Sequence, residues 1–122
     1  MARIVLADDS PDLLSILGSR FRAHGHDVHE ARDGAEALDV IRAERPDIIV
    51  LDVMMPELNG YQVCRRLKAE PELAKIPVIL LTAKDSEADR FWGGEVGAAV
   101  FLSKPVDPAR VVAEVERLLA ET

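Results

Sequence analysis

A single cysteine, Cys64, stands in 122 residues. No disulfide can close within the chain, and such sparse use fits a reducing compartment. No apolar stretch is long enough to cross a bilayer, and no low-complexity segment, internal repeat or linker interrupts the pattern. Positive charge is also short: 15 Lys and Arg stand against 22 Asp and Glu, a formal net charge of −7. That balance argues against direct nucleic-acid binding, which works through basic patches. The first residues run straight into an apolar segment at Ile4, so no signal peptide is expected. No DNA-binding or catalytic domain is expected after the last helix. With 48% apolar and 30% charged residues, one cytoplasmic domain over residues 1–122 with a real core is expected, without membrane contact.

Apolar runs and helical patterns alternate five times along the chain. Strands are expected at about 3–7, 27–31, 47–51, 77–82 and 98–103. Three carry continuous apolar runs, Ile48 to Leu51, Val78 to Leu81 and Ala98 to Leu102. Strands of that kind are covered on both faces, as in parallel sheets. Helix starts are marked by Ser10 before Pro11, by Asp33 three residues ahead of Glu36, and by Asp107 before Pro108. Val111, Val115 and Leu118 form one apolar stripe on the last helix. Alternating strands and helices give an α/β doubly wound fold. In that architecture ligands sit beyond the carboxyl ends of the strands, and Asp8, Asp9, Asp52, Thr82 and Lys104 all fall there.

Three carboxylates at one sheet edge repel one another, which a hard divalent cation relieves. Asp9 and Asp52 are candidates to bind magnesium directly, with Asp8 holding a coordinated water. The plainer alternative is that Asp8 and Asp9 favour the positive end of the following helix. Asp52 is a candidate nucleophile toward phosphorus, with Lys104 offering a point charge and Thr82 a hydroxyl to phosphoryl oxygens. A surface lysine and a strand-end threonine are the plain readings of those two, less economical when all five residues are taken together. Lys104-Pro105 permits a cis bond that would aim Lys104 into the site, or an ordinary trans bond that ends the strand.

The motifs Leu6-Ala7-Asp8-Asp9-Ser10, Leu51-Asp52-Val53-Met54-Met55-Pro56, Leu81-Thr82-Ala83 and Phe101-Leu102-Ser103-Lys104-Pro105 come in this order along the whole chain. With them the sequence resembles a receiver domain of bacterial two-component response regulators. The resemblance implies a flavodoxin-like five-stranded parallel sheet of order 2-1-3-4-5 flanked by five helices. It implies that Asp52 accepts a phosphoryl group from a phosphohistidine on a histidine kinase or phosphotransfer protein. It further implies Mg2+ (or Mn2+) on Asp9, Asp52 and the backbone carbonyl of Met54, with Asp8 acting through water. Thr82, the Ala83 backbone and Lys104 would contact the phosphoryl group. Thr82 and Phe101 would switch together, changing the face of the fourth helix, fifth strand and fifth helix. That face would engage a downstream protein partner or output domain, and a dimer formed there on phosphorylation is compatible with it.

Some positions depart from the family pattern. Gly97-Ala98-Ala99-Val100 lacks the acidic residues often found ahead of the switch aromatic, and Phe101 has no hydroxyl to offer a partner. Phe91-Trp92-Gly93-Gly94 puts the sole tryptophan beside two glycines in the fourth helix. Either the helix is loosened with Trp92 as a partner anchor, or it ends early and Trp92 covers the core. Met54 and Lys84 stand where the family tunes loss of the phosphoryl group, and neither is a good general base at neutral pH. Modest self-dephosphorylation is therefore expected. His24, His26 and His29 straddle a loop and a strand and do not read as a metal site. Cys64 reads as a small apolar residue of the third helix, and Tyr61 as packing near its start. Two other functions compete. One is an aspartate-nucleophile phosphatase of the haloacid dehalogenase type, which usually carries a second aspartate where this chain has Met54. The other is a receiver-like binding module that is never phosphorylated.

Overall fold

The computed structural model describes residues 2–82 and 97–121. Five parallel strands form one sheet: β1 (Arg3–Ala7), β2 (Asp27–Ala31), β3 (Ile48–Asp52), β4 (Val78–Thr82) and β5 (Val100–Ser103), in the order β2-β1-β3-β4-β5. The described helices are α1 (Pro11–Ala23), α2 (Gly34–Glu44), α3 (Gly60–Ala69) and α4 (Pro108–Ala120). The last of these is the fifth helix of the sequence reading; the fourth, with Trp92, falls in 83–96, outside the described residues.

Each anticipated helix start is capped as its residues suggest. The Ser10 side chain accepts from the Leu13 N–H, Asp33 from Glu36 and Asp107 from Ala109. Glu36 returns its hydrogen bond to the Arg32 N–H at 3.3 Å rather than to the cap residue itself. The anticipated strands shift slightly at their ends, and the fifth departs most: β5 begins only at Val100 and, as an edge strand, is half-buried rather than covered on both faces. β3 begins at Ile48 and includes Asp52; just before it, Asp47 accepts from the Arg3 N–H and donates its own N–H to the Arg3 carbonyl, both at 2.8 Å. Proline at 77 has no N–H to place in a ladder, and β4 begins one residue later.

β1, β3 and β4 are buried on both faces apart from Arg3. Alternate side chains therefore supply two cores. Val5, Ala7, Ile49, Leu51, Val78 and Leu80 pack against α2 and α3 through Leu38, Ile41, Val63 and Leu67. Ile4, Leu6, Ile48, Val50, Ile79 and Leu81 pack against α1 and α4 through Leu17, Phe21, Val111 and Val115. Each such buried aliphatic side chain contributes on the order of 2 kcal/mol. This two-sided burial fixes where the carboxyl ends of the strands lie, and so where the site lies.

Candidate functional site

Strand register brings the acids together. Ala7 pairs with Leu51, so the next residues, Asp8 and Asp52, are neighbours across β1 and β3. Asp52 pairs with Leu81 and Thr82 with Ser103. Thr82 and Lys104 thus lie one step beyond on the same edge. Carboxylate oxygens of Asp8, Asp9 and Asp52 lie within 4.8 Å of one another. Asp8 is 0% and Asp52 1% exposed, whereas Asp9 faces solvent. Lys104 Nζ reaches Asp52 Oδ1 at 3.1 Å and Asp8 Oδ2 at 3.3 Å.

Among the described residues, one ammonium paired with these buried carboxylates leaves negative charge in excess. Burial, then the neighbouring charge of Asp8, pushes Asp52 up to about 6, against the opposing pull of Lys104 and the Met54 N–H. Burial acts to lower Lys104, but its bonds to Asp52 and the charge of Asp8 outweigh that and raise it. Asp52 Oδ2 is buried without a hydrogen-bond partner among the described residues. An unsatisfied anionic oxygen beside two more carboxylates suits a hard divalent cation. The donor set therefore fits such an ion.

Asp8 Oδ1 accepts from the Ser10 N–H at 2.9 Å, while Ser10 itself caps α1. Capping alone therefore does not account for Asp8. Lys104 is neither a free surface lysine nor remote, and the Lys104-Pro105 bond is cis. The Thr82 hydroxyl donates to the Leu102 carbonyl at 3.5 Å, a long contact. Phe101 is half-buried against the α2–α3 core. The Met54 N–H donates to Asp52 Oδ1 at 3.3 Å while its side chain is 64% exposed. The Ala83 backbone, Lys84 and the Phe91-Trp92 pair lie outside the described residues.

The three histidines do not converge. His24 ends α1. His26 is half-buried with its ring largely covered, accepts from the Ala2 N–H through Nδ1 at 3.1 Å, and meets Glu116 through Nε2 at 2.6 Å. His29 meets Asp27 at 3.1 Å. Cys64 is buried on α3, and burial pushes its thiol up to about 12, which makes it an inert apolar residue. Tyr61 packs against the α2–α3 core.

Sequence reasoning missed how the loop after Asp52 is held. Asn59 and Gln62 form a complete capping box at α3, a signal present in the Asn-x-x-Gln spacing. Gly60, at the first turn of α3, lies so close that a β-carbon would come 2.7 Å from the Asp52 carbonyl oxygen. Nothing in local sequence marks that approach.

A doubly wound sheet that gathers three carboxylates and a lysine at its strand ends suits a divalent cation and phosphoryl chemistry. Known proteins agree. The model of the response regulator receiver domain matches residues 4–116. Protein PilH of Pseudomonas aeruginosa is 41% identical over 120 residues, 98% of this chain and 99% of PilH. Response regulator PleD of Caulobacter vibrioides is 44% identical over 117 residues, 96% of this chain but 26% of PleD. The solved signal receiver domain of a signal transduction histidine kinase from Syntrophus aciditrophicus superposes with a TM-score of 0.92 at 37% identity. That match covers 100% of this chain and 92% of the other. The chain belongs to the response regulator receiver domain family.

Membership makes it a two-component phosphoacceptor rather than a general enzyme, and it sets aside the phosphatase reading. It also implies partnership with histidine kinases or phosphotransfer proteins and with downstream effectors. No helix among the described residues is long and apolar enough to cross a membrane.

Proposed function

We propose that residues 1–122 act as one receiver domain that takes a phosphoryl group on Asp52 from a phosphohistidine of a kinase or phosphotransfer protein. The observation that carries this is Asp52 itself, which is buried, paired with Lys104 at 3.1 Å, and has one oxygen without a partner. A carboxylate oxygen attacks phosphorus, and the phosphorus–nitrogen bond of the donor breaks as the imidazole leaves. Lys104 neutralises a phosphoryl oxygen, and the Thr82 hydroxyl and the Ala83 N–H donate to others. Asp8, Asp9, Asp52 and the Met54 carbonyl would hold Mg2+ or Mn2+. When bound, the ion offsets charge on the carboxylates and the phosphoryl oxygens.

Phosphorylation then draws Thr82 inward and Phe101 after it, shifting a population between two states in proportion to the difference in phosphoryl binding. The shift acts on the face that includes β5 and α4, where a downstream protein or output domain binds or a second copy pairs. PilH and PleD match this chain across very different shares of their own lengths, and the phosphotransfer proposed is the same with or without a fused output region. The lone reduced cysteine and net acidity support a cytoplasmic setting without nucleic-acid contact. With Met54 offering no base beside Asp52, the phosphoryl group is lost slowly; a lifetime of seconds contradicts this.

The direct test is intact mass after incubation with acetyl phosphate and Mg2+, for wild type beside Asp52→Asn. A phosphoryl adduct on wild type alone is the expected result. No adduct on either protein overturns the reading in favour of a binding module that is never phosphorylated.

A further inference from the structure

The loop between β3 and α3 carries the Met54 carbonyl, yet its far end is held by a helix that contributes nothing to the carboxylate cluster. Gly34, the first residue of α2, donates its N–H to the Pro56 carbonyl at 3.3 Å. The same carbonyl accepts the Leu58 N–H at 2.8 Å. That closes a three-residue turn centred on Glu57, whose φ of 69° is unusual for a residue with a side chain. Turns of this kind with positive φ are rare and strained. A β-carbon on Gly34 would sit 1.9 Å from the Leu58 carbonyl oxygen and 2.6 Å from its carbon. Those are backbone atoms and cannot swing aside. Gly60 presses on the other end of the loop against Asp52 and Val53. The loop is therefore gripped between the first residues of two helices.

We infer that Gly34 and the Glu57 turn are positioning elements that set the loop carrying the Met54 carbonyl, and with it the affinity of the site for a divalent cation. Gly34 does not need its flexibility for its own backbone. No positive φ is found there, and at the start of a helix alanine is ordinarily the better residue. The reason for glycine is the absence of a side chain where the loop lies. Glu57 holds the strained conformation because the shared Pro56 carbonyl ties it to α2.

The inference rests on the cation site proposed above, and the experiment separates the two. Binding of Mg2+ alone is followed by amide NMR titration in wild type, Gly34→Ala, Glu57→Gly and Glu57→Val. Both Glu57 variants remove the same charge, but only glycine accepts a positive φ. Gly34→Ala and Glu57→Val are expected to weaken Mg2+ binding about tenfold, the usual scale for groups that orient a metal site without touching the ion. Glu57→Gly stays near wild type. Wild type that fails to bind Mg2+ overturns the cation site itself. Wild-type affinity in Gly34→Ala, with raised thermal stability, overturns the role of Gly34 and marks it as an ordinary helix-start residue. If Gly34→Ala does not fold, the Glu57 pair decides, and equal affinities for its two members overturn the inference.

Discussion

The two ends of the sheet carry similar numbers of acids and treat them in opposite ways. At the amino-terminal end Asp27, Glu44 and Asp47 meet Arg3 and His29. The Arg3 N–H donates to Asp47 at 2.8 Å, its guanidinium to the Glu44 carbonyl at 2.7 Å, and His29 lies 3.1 Å from Asp27. Those groups are largely solvent-exposed and their charges are answered locally. At the carboxyl end Asp8 and Asp52 are buried, share Lys104, and leave Asp52 Oδ2 without a partner among the described residues. Exposed and matched charges add little to stability. Buried and under-matched ones cost stability until a ligand answers them. The carboxyl end is thus less stable than it could be, and its excess negative charge suits a divalent cation.

Removing Lys104, the cation that pairs with Asp8 and Asp52, has the largest effect. Lys104→Met is expected to slow phosphorylation by acetyl phosphate about 100-fold, measured by single-turnover mass spectrometry at saturating Mg2+. A loss of less than threefold would return Lys104 to a structural role.

Next is the stability cost of the excess charge. Asp52 titrates at about 6 in the folded protein against an ordinary 3.8, so the folded state holds its proton more tightly than the unfolded one. Stability therefore falls as pH rises from about 4 to about 6, and the whole penalty is present above that window. Without metal at pH 7, Asp52→Asn is expected to be more stable than wild type by on the order of 2 kcal/mol. The gain fades as pH falls through the same window. Urea melts in EDTA across pH 4 to 8 read it directly, and a destabilised Asp52→Asn at pH 7 would break the contrast between the two ends.

The amino-terminal end responds weakly. Arg45 closes α2 in the left-handed region with φ 47°. Arg45→Gly removes that strain but adds freedom to the unfolded chain, for a net gain of about 0.5 kcal/mol by thermal melt. Its ion pair with Glu72 is two-thirds exposed and subtracts little. Asp27→Asn is expected to change stability by less than about 0.5 kcal/mol. A change as large as that of Asp52→Asn would show that the two ends do not differ in kind.

The strands and helix caps were legible because each rests on local patterns. Continuous apolar runs read as doubly covered strands, which holds for β3 and β4 but not for β5, half-buried at the sheet edge, and Ser10, Asp33 and Asp107 read as caps. The gathering of Asp8, Asp9, Asp52 and Lys104 followed from their place at the strand ends of a parallel sheet, with Thr82 at the same edge. The fate of the histidines was half legible: their spacing argued against a metal site, but nothing local announced that His26 would bridge Ala2 and Glu116. The grip of Gly34 and Gly60 on the loop was hidden, because glycine at a helix start looks ordinary until another segment is seen to press on it.

The residue types alone therefore determined the elements, their order of alternation and the edge where chemistry gathers, since periodicity and strand-end position are properties of consecutive residues. Only the tertiary structure decided which of three similar aspartates is buried and short of partners, and which loop two helices hold in place. Burial, charge balance and steric clearance depend on residues far apart in the chain, and strand register and helix packing bring those together.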